Sequence, residues 1–118
     1  VLERINARNL TTAHINRKID LAVFDTSFIS LEKVIPPLFP FFQLQKRIIA
    51  LIKPQFELSK EKVGNGGVVR DEGSRAEAIE KITSFGNRSG LTPVGVVPSS
   101  IKGPKGNQEY LIYFLSSE

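Results

Sequence analysis

Ile19-Asp-Leu-Ala-Val-Phe-Asp25 and Arg47-Ile-Ile-Ala-Leu-Ile-Lys53 are short, nearly unbroken apolar runs, each closed by an ionisable residue. Runs of this kind suit strands buried on both faces of a parallel sheet rather than strands with one wet side. Between them, Ser30 can cap a helix carrying Leu31, Val34, Ile35, Leu38 and Phe39 on one face, which Pro36 and Pro37 must kink or restart. After the second run, residues 55–73 are polar, glycine-rich and long, and compact domains usually keep such a loop for function.

Ser74 to about Arg88 is the clearest helix. A Ser74/Glu77 capping box opens it, Ala78, Ile79, Ile82 and Phe85 form its apolar stripe, and Gly90 ends it. Thr92–Val97 and Tyr110–Leu115 read as further strands, separated by the Pro/Gly loop from Pro98 to Asn107. At the other end, Val1–Arg4 reads as the tail of a strand already in progress, and Asn6–Lys18 is polar and turn-like. The alternation of strands and helices is that of a doubly wound α/β sheet with flanking helices.

Composition narrows the chemistry. The 118 residues suffice for one domain and one core; 41% are apolar and 24% charged, as in ordinary globular proteins. With no cysteine and a single histidine, His14, in a polar stretch, thiolate metal sites, Cys nucleophiles and His triads drop out. No metal site is expected. The longest apolar run, Val34–Phe42, holds nine residues and three prolines, against the ~20 needed to cross a bilayer. The absence of cysteine fits a cytoplasmic protein, and a net charge of +4 favours approach to a polyanion such as RNA.

In open α/β sheets ligands bind at the carboxyl ends of the strands. Asp25 and Lys53 stand at that end of the two runs, and Glu109 stands just before the last strand. If that strand is antiparallel to the others, all three share one rim. With neighbouring strands about 4.8 Å apart, they form a cluster about 10 Å across. Taken singly, each has a plainer role: Asp25 capping the turn that follows, Lys53 reaching solvent, Glu109 opening a strand at the surface. The glycine-rich Val63-Gly-Asn-Gly-Gly67 lacks the Gly-Lys-Ser/Thr ending of a phosphate loop, and no strand runs straight into it. It reads instead as a mobile loop facing RNA.

Five strings now stand together: Glu3-Arg-Ile-Asn6-Ala-Arg8, Asp25-Thr-Ser-Phe-Ile-Ser-Leu31, Lys53-Pro-Gln-Phe-Glu57, Val63-Gly-Asn-Gly-Gly-Val-Val-Arg-Asp71 and Gly103-Pro-Lys-Gly-Asn107-Gln-Glu109. In order and spacing they resemble the TlyA (haemolysin A) family, whose members are similar to FtsJ-type methyltransferases. The resemblance covers nearly the whole chain. It implies a Rossmann-like class I methyltransferase sheet with strand order 3-2-1-4-5-7-6, of which this chain holds the end of strand 3 and strands 4 to 7, the last antiparallel. Residues 1–118 are then the C-terminal part of one methyltransferase domain.

The implied activity of the parent protein is S-adenosylmethionine-dependent methylation of a ribose 2′-hydroxyl, of cytidine, in ribosomal RNA, with ribosomal subunits as partners. Of the family's Lys-Asp-Lys-Glu tetrad, Asp25, Lys53 and Glu109 match the last three positions, the residues already selected on the rim. A lysine takes a proton only as the neutral amine, which burial and nearby positive charge favour and a carboxylate opposes. In the family picture Lys53 is the base candidate, Asp25 orients the lysines and Glu109 positions the hydroxyl or its partner. Glu3 and Asn6 would line the adenosine side of the cofactor, Thr26 and Ser27 its methionine side.

The first tetrad lysine, the cofactor's glycine loop and the small RNA-binding S4 domain of the family would all precede Val1. The 118 residues alone are therefore expected to be inactive and to bind the cofactor poorly. A non-catalytic RNA-binding role is the alternative, and a membrane-active haemolysin a more distant one. Without its strand-1 neighbour, the Ile19–Asp25 strand would be an edge open to self-association, or covered by residues 1–18.

Overall fold

A computed structural model describes residues 21–26, 29–42, 45–100, 102–103 and 106–116, and for residues 2–5 and Asn65 the backbone alone. Five strands form one sheet: β1 (Leu2–Ile5), β2 (Leu21–Phe24), β3 (Arg47–Ile52), β4 (Leu91–Pro98) and β5 (Tyr110–Ser116), in the order β1-β2-β3-β5-β4. The first three run parallel, and β5 is antiparallel to both β3 and β4. The segment β2-β3-β5-β4 follows the order expected of strands 4, 5, 7 and 6. The Leu21–Phe24 strand is not an open edge, because Leu2–Ile5 lies parallel against it. It is covered by the chain's own first residues, the second of the two outcomes expected.

Burial alternates along the strands. Ala22, Phe24, Ile48, Ala50, Ile52, Ile112 and Phe114 are fully enclosed, and the register Ala22↔Ile48, Phe24↔Ala50, Ile48↔Phe114 and Ala50↔Ile112 puts them on one face. Leu31, Val34 and Leu38, with Ala78, Ile82 and Phe85, join them in one core cluster. On the other face, Val94, Val97 and Leu111 are exposed. Leu21, Val23, Ile49 and Leu51 on that face are only partly buried, so the burial on both faces expected of the two apolar runs is partial. The outer strand β4 carries Pro93 and Pro98 with an irregularity between Pro93 and Gly95. Proline suits this edge because it has no N–H to give the ladder.

The proline-interrupted helix resolves into two pieces. Ser30 caps α1 (Leu31–Val34), its side chain accepting from the Glu32 amide, and Pro36–Phe41 continues as a 3₁₀ turn. A second short helix, α2 (Pro54–Glu57), starts on the proline that ends β3. The long helix α3 spans Glu72–Arg88 and begins before the expected Ser74. Asp71 is its cap: the carboxylate accepts from the Ser74 amide at 2.9 Å and from the Ser74 hydroxyl at 3.1 Å. A carboxylate at this end also complements the helix dipole, so Asp71 displaces Ser74 as the cap. Glu77, freed from the capping box, pairs with Lys62 at 2.7 Å. Helix α3 ends near Gly90, at φ 81°. Its Gly86 lies against the Phe114 ring, where any side chain would collide.

Candidate active site at the carboxyl rim

Strands β2 and β3 are parallel neighbours, so the residues that follow them emerge side by side. Lys53 Nζ lies 2.6 Å from Asp25 Oδ1. Lys53 does not reach out to solvent; it is 8% exposed. Lysine is almost never buried without a partner, and an ion pair shielded from water is weak evidence of a stabilising role.

Strand β5 runs back along β3 with Ile52 opposite Tyr110. Glu109, one residue earlier, therefore stands at the rim where Lys53 leaves β3, and it too is buried. Its Oε2 accepts a hydrogen bond from Gln55 Nε2 at 3.0 Å. Gly103 lies against the same oxygen, and a Cβ there would collide with it. Gln55 and Gly103 thus both confine the Glu109 carboxylate. Reading the sequence for charged groups passed over both, although each belongs to a quoted motif.

Of the four residues expected to face the cofactor, Thr26 follows Asp25 at the rim and is buried. Asn6, Ser27 and the side chain of Glu3 lie outside the described residues. Among the described residues the Thr26 hydroxyl and Gln55 Oε1 are buried without a hydrogen-bond partner. Buried polar atoms are nearly always satisfied, so both are suited to a polar ligand at this rim. S-adenosylmethionine, with its amine, carboxylate, hydroxyls and ring nitrogens, has the donors and acceptors to fit.

Glu57, four residues after Lys53, is a second buried carboxylate just behind the rim. It accepts from the Ser30 hydroxyl at 2.6 Å, from the Leu31 amide at 3.0 Å and from Lys81 Nζ at 3.2 Å. Lys81 also donates to the Glu57 carbonyl at 2.7 Å. This knot joins α1, α2 and α3 and fixes the turn that carries Lys53, whose carbonyl accepts from the Phe56 and Glu57 amides. Asn107 makes a similar tie between loops. Its Oδ1 accepts from the Val69 amide and its Nδ2 donates to the Gly67 carbonyl, both at 2.9 Å.

A family model described as FtsJ-like methyltransferase matches residues 1–115. The 16S/23S rRNA (cytidine-2′-O)-methyltransferase TlyA of Mycobacterium tuberculosis is 44% identical over 113 residues, covering 96% of this chain and 42% of that protein. Hemolysin A of Brachyspira hyodysenteriae is 36% identical over 115 residues, covering 97% of this chain and 48% of its own length. Among solved structures, a Lactococcus lactis protein given the name hemolysin superposes with a TM-score of 0.85 at 37% identity, covering 96% of this chain and 54% of that one. The chain thus spans under half the length of these two curated relatives. Among the described residues no helix is long and apolar enough to cross a membrane.

Proposed function

The chain belongs to the FtsJ-like methyltransferase family, and on that premise we propose that it forms the catalytic rim of an enzyme that methylates a ribose 2′-hydroxyl of cytidine in ribosomal RNA. The observation that carries this reading is the contact of Lys53 with Asp25 on the rim where Glu109 is buried. S-adenosylmethionine, when bound, supplies the methyl group. The protein must hold the hydroxyl in line and remove its proton.

Asp25 holds the Lys53 side chain at the strand end; that contact favours the ammonium, so Lys53 takes the hydroxyl proton only after giving one up to Asp25 or to water. Glu109, steadied by Gln55 and Gly103, positions the hydroxyl or the group that pairs with it. Thr26 borders the cofactor. Such an enzyme works where ribosomal RNA is made and assembled, in the cytoplasm. The test is Lys53→Ala in whichever length of the protein methylates RNA. Turnover should fall by about 100-fold or more, while the loss of stability stays modest because Asp25, the partner left behind, is 31% exposed. Near-normal turnover would make Lys53 a structural residue and end this reading.

A further inference from the structure

The glycine-rich segment 63–71 is the one quoted motif to which the rim assigns no task. It folds on itself as a tight loop: the Gly64 amide donates to the Val68 carbonyl at 2.8 Å and the Gly67 amide to the Gly64 carbonyl at 3.1 Å. Gly66 and Gly67 have φ of 76° and 79°, a region that only glycine enters without cost. At Gly64 a Cβ would stand 2.7 Å from the Val68 carbonyl oxygen and 2.9 Å from Arg70 Nη1. Bare backbone is therefore required there, with the guanidinium of Arg70 laid across it.

Gly64, Gly66, Gly67 and Arg70 are exposed, so this bare edge, with its one guanidinium, faces outward. It is nonetheless anchored, since Val69 is buried in the interior. Asn107, itself buried, is the anchor: it takes the Val69 amide, gives to the Gly67 carbonyl, and through its own carbonyl takes the Gly103 amide at 2.8 Å. Gly103 backs the Glu109 carboxylate, and Asn107 lies two residues before Glu109. One buried amide thus sets the distance between the loop and the rim.

We propose that residues 64–70 are a preformed binding edge for the sugar–phosphate backbone of RNA beside the modified nucleotide, and that Asn107 is the residue that positions it. Exposed glycines let a phosphate approach the main chain closely, and a planar guanidinium is the side chain best matched to phosphate oxygens. Anchoring the loop in advance removes the ordering cost that a floppy loop would incur on binding. This inference rests on the RNA methyltransferase reading.

Two pairs of measurements test it. In the 118-residue chain, Asn107→Ala should speed amide hydrogen exchange at Val69 about tenfold or more relative to Ile112. In the length that methylates RNA, the same change should raise KM for RNA about fivefold or more while kcat changes less than about twofold. A fall in kcat at unchanged KM would tie Asn107 to the chemistry at Glu109 and overturn the proposal, as would unchanged kcat and KM.

Should Asn107→Ala not fold, Arg70 decides. Binding of a fluorescein-labelled ribosomal RNA hairpin should weaken severalfold in Arg70→Ala. Its log–log dependence on salt should become shallower by about one phosphate contact, and Arg70→Lys should restore most of that slope. A slope identical in all three proteins would overturn the proposal while leaving the methyltransferase reading intact. No binding of the hairpin by the unaltered protein would instead remove the reading on which it rests.

Discussion

Glu57 and Glu109 are almost equally withdrawn from water, at 6% and 5% exposure, yet their surroundings differ in kind. Glu57 accepts from a hydroxyl and a main-chain amide at the start of α1 and from an ammonium on α3. Among the described residues Glu109 is held at Oε2 by one side-chain amide, from a glutamine whose own Oε1 has no partner there, and is crowded by a glycine. A carboxylate whose acceptor sites are filled by the protein is a fastener. Glu109, with a single neutral donor among the described residues and a strand-end place beside a lysine–aspartate pair, is the one proposed to meet the ribose. Burial alone would have classed the two together; the census of donors separates them.

The comparison is broken most directly at Glu57. Glu57→Ala leaves the Leu31 amide, the Ser30 hydroxyl and the Lys81 ammonium without their shared acceptor. It should cost about 3 kcal/mol, lowering the melting temperature on the order of 10 °C. A loss under about 1 kcal/mol by chemical denaturation would show that the knot is not a fastener.

At the other carboxylate the change should be smaller in stability and larger in activity. Gly103→Ala puts a methyl group against the Glu109 carboxylate, which must swing off Gln55. The expected stability cost is about 1 kcal/mol, with a drop in RNA methylation and a shifted Gln55 side-chain amide signal in NMR spectra. An unmoved amide signal together with full methylation would show that Glu109 needs no fixed orientation.

The smallest effect belongs to a third glutamate. Glu77 pairs with Lys62 at 2.7 Å, but both side chains are nearly half exposed. Lys62→Ala should change stability by no more than about 0.5 kcal/mol. A loss comparable to that at Glu57 would mean that solvent exposure does not separate these pairs.

Much of this was legible in residue order. Apolar runs closed by Asp25 and Lys53 located two strand ends, and the stripe Ala78, Ile82, Phe85 located the long helix. The helix start is ambiguous in the sequence because Ser74-Arg-Ala-Glu77 and Asp71-Glu-Gly-Ser74 are both plausible caps one turn apart. The carboxylate that receives the Ser74 amide settles the matter. At Pro36 the sequence showed that an α-helix could not run on unchanged, though not that a 3₁₀ turn would follow.

By itself the sequence determined the elements and the rim, because strand periodicity, helix capping and proline geometry act over a few residues. It also carried the family resemblance, in motifs short enough to be read as strings. Which carboxylate is fastened and which is poised was decided only by tertiary structure. Glu57 meets Leu31 across 26 residues, Asn107 meets Val69 across 38, and Gln55 meets Glu109 across 54. Hydrogen bonding acts over about 3 Å, and no local pattern tells a buried glutamate which donors the fold will bring within that distance.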